Sequence, residues 1–465
     1  MRRAIIGFIG VALSAALLAQ DAISARIAGV AMTDGGAASY LEKLTDTVGG
    51  RLTGSPQARA ASELILAALK EAGYANARFE EYPLELRWQR GPAAGRLVSP
   101  IDRPIAVGSF GWAPGTPGEV VVPVVDRGVP ASEEGVSLDG IRGAAVLIDP
   151  PYLMRPGIAK RLAGGGAAAM LIPSHKPDRM LDTFAVGYPR APLPILSVAK
   201  EDTALLRRLL AKGPTRIALD VRNTFDTSPY RERNVIADLP GRDPAGEIVL
   251  LGAHFDSWDP GQGAEDDGSG VAAVLEAARV LQSLGVAPLR TIRFAFFSGE
   301  EQGCLGSRAY VVAHEKELDA HRTILIMDLG AQAPHGFFIQ GREDLSAAVV
   351  ARLAPLAPLG ASGVSIDASF DEDHAPFLAV GVPAFTLWVD WGDYMTRHHA
   401  VADTFEHVDR RWLAMDSAVM AIAAWSFANA PEPVGRRLSE AEATDLMKKT
   451  GIEEEHRLMY GASPR

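Results

Sequence analysis

The sequence predicts an α/β protein with a mainly parallel sheet, interrupted by a β-rich inserted domain. Three observations predict it. From Asn234 to about Asn429, short apolar runs alternate with longer helical segments, the texture of repeated βα units. Between about Trp88 and Ser228 the texture changes to Pro, Gly and brief β-branched runs such as Glu119-Val-Val-Val-Pro-Val-Val. Several later apolar runs end directly on ionisable residues. In open α/β sheets, ligands bind beyond the carboxyl ends of the strands.

The segments follow in order. Arg2 and Arg3 precede an apolar stretch, Ala4 to Leu18, and small residues at Ala16, Ala19 and Ala22 offer cleavage sites. Residues 1–22 therefore read as a secretory signal. The stretch is too short and too Ala-rich for a permanent span. Export to a periplasm or the medium is expected, with no membrane span left after cleavage. Residues 23–95 form the first part of the main domain: helix, turn and helix over Ala37 to Ala75, with Gly73 as a stop. Residues 96–228 form the insert, with an amphipathic helix at Lys200 to Lys212. Residues 229–430 complete the main domain. The remainder, 431–465, is a polar tail whose Leu438 to Met459 stretch reads as a surface helix.

Composition narrows the function. The net charge is −11 and no long basic run occurs, which excludes a nucleic-acid partner. Hydrophobic residues make up 48 %, enough for a large core. The single Cys304 permits no internal disulfide and reads as a small apolar filler.

The chemistry lies at the strand ends. Ile248-Val-Leu-Leu-Gly-Ala runs into His254-Phe-Asp256. Residues two apart on an extended chain point the same way, so His254 can meet a metal while Asp256 orients its ring. Asp266-Asp267-Gly-Ser-Gly opens a helix. One carboxylate can bridge paired cations about 3.5–4 Å apart, and Asp266 is the candidate bridge. Asp267 is a cap or is solvated. Thr291-Ile-Arg-Phe-Ala-Phe-Phe runs into Ser-Gly-Glu300-Glu301. Glu301 is the candidate ligand, and Glu300 the candidate general base. Thr323-Ile-Leu-Ile-Met runs into Asp328, the natural partner of a second metal. Of the pair His398-His399, one can ligate and the other can face the substrate. His374 can line this site or pack in its loop.

These residues resemble the co-catalytic di-zinc exopeptidases, the group of bacterial leucyl-type aminopeptidases and glutamate carboxypeptidases. The likeness is carried by Gly252-Ala-His254-Phe-Asp256-Ser-Trp258-Asp-Pro-Gly-Gln-Gly-Ala-Glu-Asp266-Asp-Gly-Ser-Gly and by Asp46-Thr-Val-Gly-Gly-Arg-Leu-Thr-Gly-Ser. It runs from about Ser39 to Trp425. The resemblance implies a mixed, mainly parallel sheet flanked by helices, and two Zn2+ per chain. It implies one zinc on His254 and Glu301, the other on Asp328 and His399, with Asp266 bridging. His399 is preferred over His398 because the family ligand lies four before the Asp of an Asp-Thr pair, here Asp403-Thr404. Asp256 would orient His254, and Glu300 would be the base. The insert resembles a protease-associated domain, its closing segment being Leu193-Pro-Ile-Leu-Ser-Val-Ala-Lys-Glu-Asp. The implied partner is a short peptide or dipeptide, and the glutamate carboxypeptidase branch implies a homodimer. The alternatives are a non-catalytic receptor or scaffold relative, and a single-zinc acyl-transfer enzyme of the glutaminyl cyclase type.

Overall fold

The computed structural model describes residues 22–33, 35–242 and 246–460. The expected signal, apart from residue 22, lies outside them. Eight strands form the main sheet: β1 (Arg78–Leu84), β2 (Tyr230–Leu239), β3 (Ile248–His254), β4 (Thr291–Phe297), β5 (His321–Ile326), β6 (Pro334–Phe338), β7 (Gly363–Ser365) and β8 (Ala384–Val389). Their order is β1-β2-β4-β3-β5-β8-β6-β7. The central run β4-β3-β5-β8 is parallel. The flanking β1, β2 and β6 pair antiparallel, so the sheet is mixed, as expected.

Every residue of β3 is buried, as a central parallel strand between two helical layers must be. Its side chains alternate. Val249, Leu251 and Ala253 enter the larger core with helices Ser269–Ser283 and Arg410–Asn429. Leu250 faces the other layer with Tyr310, Val311 and Phe377. The N-terminal helices join the first layer. Ile27 and Ala31 from residues 22–33 and Ile65 and Leu69 from Pro56–Glu71 are buried there. Ser55 caps that last helix by accepting from the Ala58 N–H, with Pro56 as its first residue.

Between β1 and β2 the chain builds a second eight-stranded sheet from residues within Ala93–Val221. It has its own apolar clusters, one around Leu147, Leu171 and Ile217, the other around Ile148, Ile158 and Ile172. The chain leaves and returns through a two-stranded ribbon, in which Arg87–Gln89 pairs with Thr224–Asp226. Leu52, Trp88, Trp112 and Trp258 pack together beside that ribbon.

The polar tail differs from its reading as one surface helix. Gly451, at φ +81°, divides it into Glu440–Thr450 and Glu453–Tyr460. Ala443 is buried, and Met447 and Ile452 pack on Phe370, Ala375 and Leu378. A few apolar residues in a charged stretch are enough to dock the first of these helices.

Candidate metal centre

β3 ends at His254, and β5, its parallel neighbour, ends at Ile326. Gly252 lies opposite Ile326, so two further residues along each chain bring His254 level with Asp328. The His254 Nε2 is 3.0 Å from Asp328 Oδ1 and 3.3 Å from Asp266 Oδ1. The other oxygen of the same aspartate, Oδ2, is 3.1 Å from His399 Nε2. That nitrogen is also 3.0 Å from Glu301 Oε2. The structure thus gathers all five expected ligands but pairs them differently. His254 sits with Asp328 and His399 with Glu301, the reverse of the expected partition. The register of β3 against β5 is what brings His254 to Asp328.

His398 is also close, its Nε2 3.6 Å from Asp266 Oδ2. Its ring stacks on His399 with centroids 3.6 Å apart. The two differ electrically. Burial, then the neighbouring His399 charge, holds His398 well below the usual imidazole range. His399 is held up at about 10, because Glu301 and Asp266 outweigh its burial.

Asp256 acts on His254 through its backbone as well as through the expected, longer carboxylate contact. The His254 Nδ1 meets the Asp256 backbone carbonyl at 3.0 Å, whereas the carboxylate Oδ1 stands 3.6 Å off. A carbonyl only accepts, so Nδ1 carries the hydrogen and Nε2 faces the carboxylates. The Asp256 carboxylate accepts instead from Thr53 Oγ1 at 2.6 Å and from the Glu300 N–H at 3.2 Å. It ties the Glu300 backbone to the strand end that carries His254.

The cluster is crowded with negative charge. Burial first, then Asp328, Glu301 and Asp373, pushes Glu300 well above the carboxylate range. Burial likewise lifts Glu301 to about 7 and Asp328 to about 6, with Asp266 adding to both. Asp266 itself is held well below the usual range, because His254 and His399 outweigh its burial. So many buried carboxylates require compensating cations. Glu301 Oε1 is buried without a hydrogen-bond partner. Imidazole and carboxylate are the donors that zinc takes.

Other residues shape the centre. Asp403 accepts from three successive backbone N–H groups, those of Ala264 (3.0 Å), Glu265 (2.6 Å) and Asp266 (3.2 Å). Buried Arg51 donates to the carbonyls of Phe255, Gln262 and Gly263, holding the loop between His254 and Asp266. Both were missed as functional residues. Asp403 figured only as a spacing mark, and Arg51 only as part of a similar stretch. Asp267 is neither a solvated group nor a bare cap. It is buried and accepts from the His254 and Gly270 N–H groups. Cys304 is buried and burial pushes its thiol well up, in keeping with the filler reading. His374 packs in its loop, its Nε2 3.0 Å from the Ser369 carbonyl.

The chain matches the model of Peptidase family M28 over residues 234–425. It carries a peptidase family M28 domain. All five clustered side chains lie within the matched residues, whereas Arg51, Thr53 and the second sheet lie before them. The chain is similar to Carboxypeptidase Q of Pongo abelii, 28 % identical over 410 residues, covering 85 % of this chain and 86 % of that protein. It is similar to the probable lipoprotein aminopeptidase of Mycobacterium tuberculosis at 28 %, covering 84 % of each. Among solved structures, the Peptidase M28 precursor of Shewanella amazonensis is 28 % identical, with a TM-score of 0.80 over 90 % of this chain and 99 % of that one. A zinc aminopeptidase of Bacillus subtilis, 22 % identical, shares the fold with a TM-score of 0.70 over 88 % of this chain and 98 % of that one. The family match and the relatives indicate an exopeptidase.

Proposed function

We propose that the protein is a two-zinc exopeptidase that hydrolyses short peptides or dipeptides. The observation that carries this reading is the Asp266 carboxylate, with one oxygen facing His254 and the other His399. His254, Asp328 and Asp266 would hold one zinc; His399, Glu301 and Asp266 would hold the other. When bound, such a pair supplies Lewis-acid polarisation of a carbonyl and a nucleophilic water at neutral pH.

The chain's own groups do the rest. Glu300 takes a proton from the attacking water and delivers it to the departing amine. Asp256 fixes the Glu300 backbone and, through its carbonyl, the His254 tautomer. His398, neutral and beside the bridge, faces the substrate. The second sheet acts as the protease-associated cover: Phe184 stands against the His399 ring with centroids 4.6 Å apart, and Lys176 Nζ donates to the Met395 carbonyl at 3.0 Å. We assign the protein to the exported fraction, from the basic and apolar start of its sequence. Among the described residues no helix is long and apolar enough to cross a membrane.

The test is a peptide-library digest by the purified protein, with and without chelator, read by mass spectrometry alongside metal content. Single-residue losses that stop with chelator, at two zincs per chain, are expected. One zinc per chain with cyclised products would replace this reading with the acyl-transfer alternative. Stoichiometric zinc without turnover would replace it with a non-catalytic role.

A further inference from the structure

Arg155 opens the helix Arg155–Gly164 of the second sheet domain, directly after the turn Tyr152–Met154. It is only 8 % exposed, yet its Nε and Nη1 are buried without a hydrogen-bond partner. Arg87, Arg342 and Arg352 each leave one guanidinium nitrogen bare as well, but each of them bonds elsewhere. Around Arg155 stand three aromatic rings: Phe184 at 5.2 Å, Tyr152 at 5.5 Å and Phe110 at 6.0 Å from the guanidinium carbon. The nearby acids are engaged elsewhere. Asp149 Oδ1 lies 3.1 Å from His175 Nε2, and Asp182 accepts from the Ser197 hydroxyl at 2.8 Å. Asp182 and Asp149 act on Arg155 only through space, with no hydrogen bond to its buried Nε and Nη1, and a planar carboxylate is the partner that fits this fork.

The position of this guanidinium points to the metal cluster. The Phe184 ring that lies 5.2 Å from it is itself 4.6 Å from the His399 ring. These two contacts bound the separation of Arg155 from His399 at about 10 Å, a span that one residue at about 3.5 Å plus a hydrogen bond at either end can cross. Tyr152 stands beside both Arg155 and Phe184, its ring centroid 5.6 Å from that of Phe184. It is 57 % exposed, so it lines open space rather than core.

We propose that Arg155 receives the free α-carboxylate of the substrate. The site then reads a carboxyl terminus one residue beyond the scissile bond, and the chemistry is that of a dipeptidase or carboxypeptidase. Phe110 and Phe184 keep water from the inner side of the ion pair and strengthen it, while Tyr152 lines the open side. The inference rests on the exopeptidase reading above and names its substrate class.

The experiment compares dipeptides with their C-terminal amides, which keep the shape and remove the charge. Binding is read by calorimetry on zinc-loaded protein, using analogues whose peptide bond is reduced and cannot be cleaved; turnover is read on the cleavable pair. Wild type should bind the acid at least tenfold more tightly than the amide. In Arg155→Met that gap should close, with amide affinity and zinc content unchanged and the melting temperature no lower, and Arg155→Lys should recover part of the preference. Equal affinities in wild type, or a gap that survives in Arg155→Met, overturn the proposal. So does loss of acid and amide binding together with zinc, which would mark a structural role. Failure of the exopeptidase reading looks different: zinc-loaded wild type turns over neither cleavable peptide, while the calorimetric comparison still reads Arg155.

Discussion

The backbone N–H of Thr183, in the second sheet domain, donates to the backbone carbonyl of His399 at 3.1 Å. His399 has a φ of +57°, in the sparsely populated left-handed region. A segment far away in sequence therefore helps to hold the backbone on which a proposed zinc ligand sits.

Replacing Thr183 by Pro removes that donor and leaves the His399 carbonyl short of a partner, at a cost of about 1–3 kcal/mol. The expected outcome is weaker binding of one zinc, the one on the His399 side, with the other retained. Thr183→Val keeps the N–H and should hold both zincs, although it loses the hydroxyl that accepts from Arg90 at 3.1 Å. Zinc titration with a competing chelator distinguishes two classes of site from one.

Glu300→Gln keeps the size of the side chain and removes its capacity to take a proton. Zinc content should stay at two per chain while kcat falls by about 10²–10⁴. Near-normal turnover, in a steady-state assay with metal content checked by elemental analysis, would assign the base elsewhere.

Asp266→Ala takes an oxygen from both proposed zinc positions. Zinc affinity should fall by more than the roughly 10–100-fold typical of losing a supporting hydrogen bond. The variant should carry little metal after dialysis. Both ions at full occupancy would show that another group bridges.

His321 offers a stability test remote from the metal centre. It is buried at the start of β5, with Nδ1 2.9 Å from the Glu317 carbonyl and Nε2 2.8 Å from the Tyr310 hydroxyl. Burial, the largest cause, holds it down at about 4. The unfolded chain takes up this proton below about 6.5 and the folded chain only near 4. Between those values the unfolded state binds more protons, so stability falls as pH falls through the window, by roughly 3 kcal/mol at most. Urea unfolding of wild type at pH 7 and at pH 4.5 should show the slope. His321→Gln, compared over the same interval, should flatten it.

The sequence made the strand ends legible because a buried parallel strand is an unbroken apolar run, and the ionisable residue that ends it stands out. His254, Glu301 and Asp328 were visible for that reason. Their partners were not. The pairing of His254 with Asp328 follows from Gly252 lying opposite Ile326, a register that neither strand carries within itself. Arg51 and Asp403 were obscure for another reason: each sits in an aperiodic stretch and acts on backbone groups, whose demand for partners leaves no mark on side-chain pattern. The packed helix Glu440–Thr450 carries a surface-like pattern because only a few of its residues, such as Ala443 and Met447, reach the core.

The loop carrying His399 leans on Thr183 and Phe184, while the Asp266 loop is gripped by Arg51 from one side and Asp403 from the other. Early, middle and late stretches of the polypeptide must all be present before the pocket closes. A product that ends before the last of these would lack His399 and Asp403, and with them one side of the cluster.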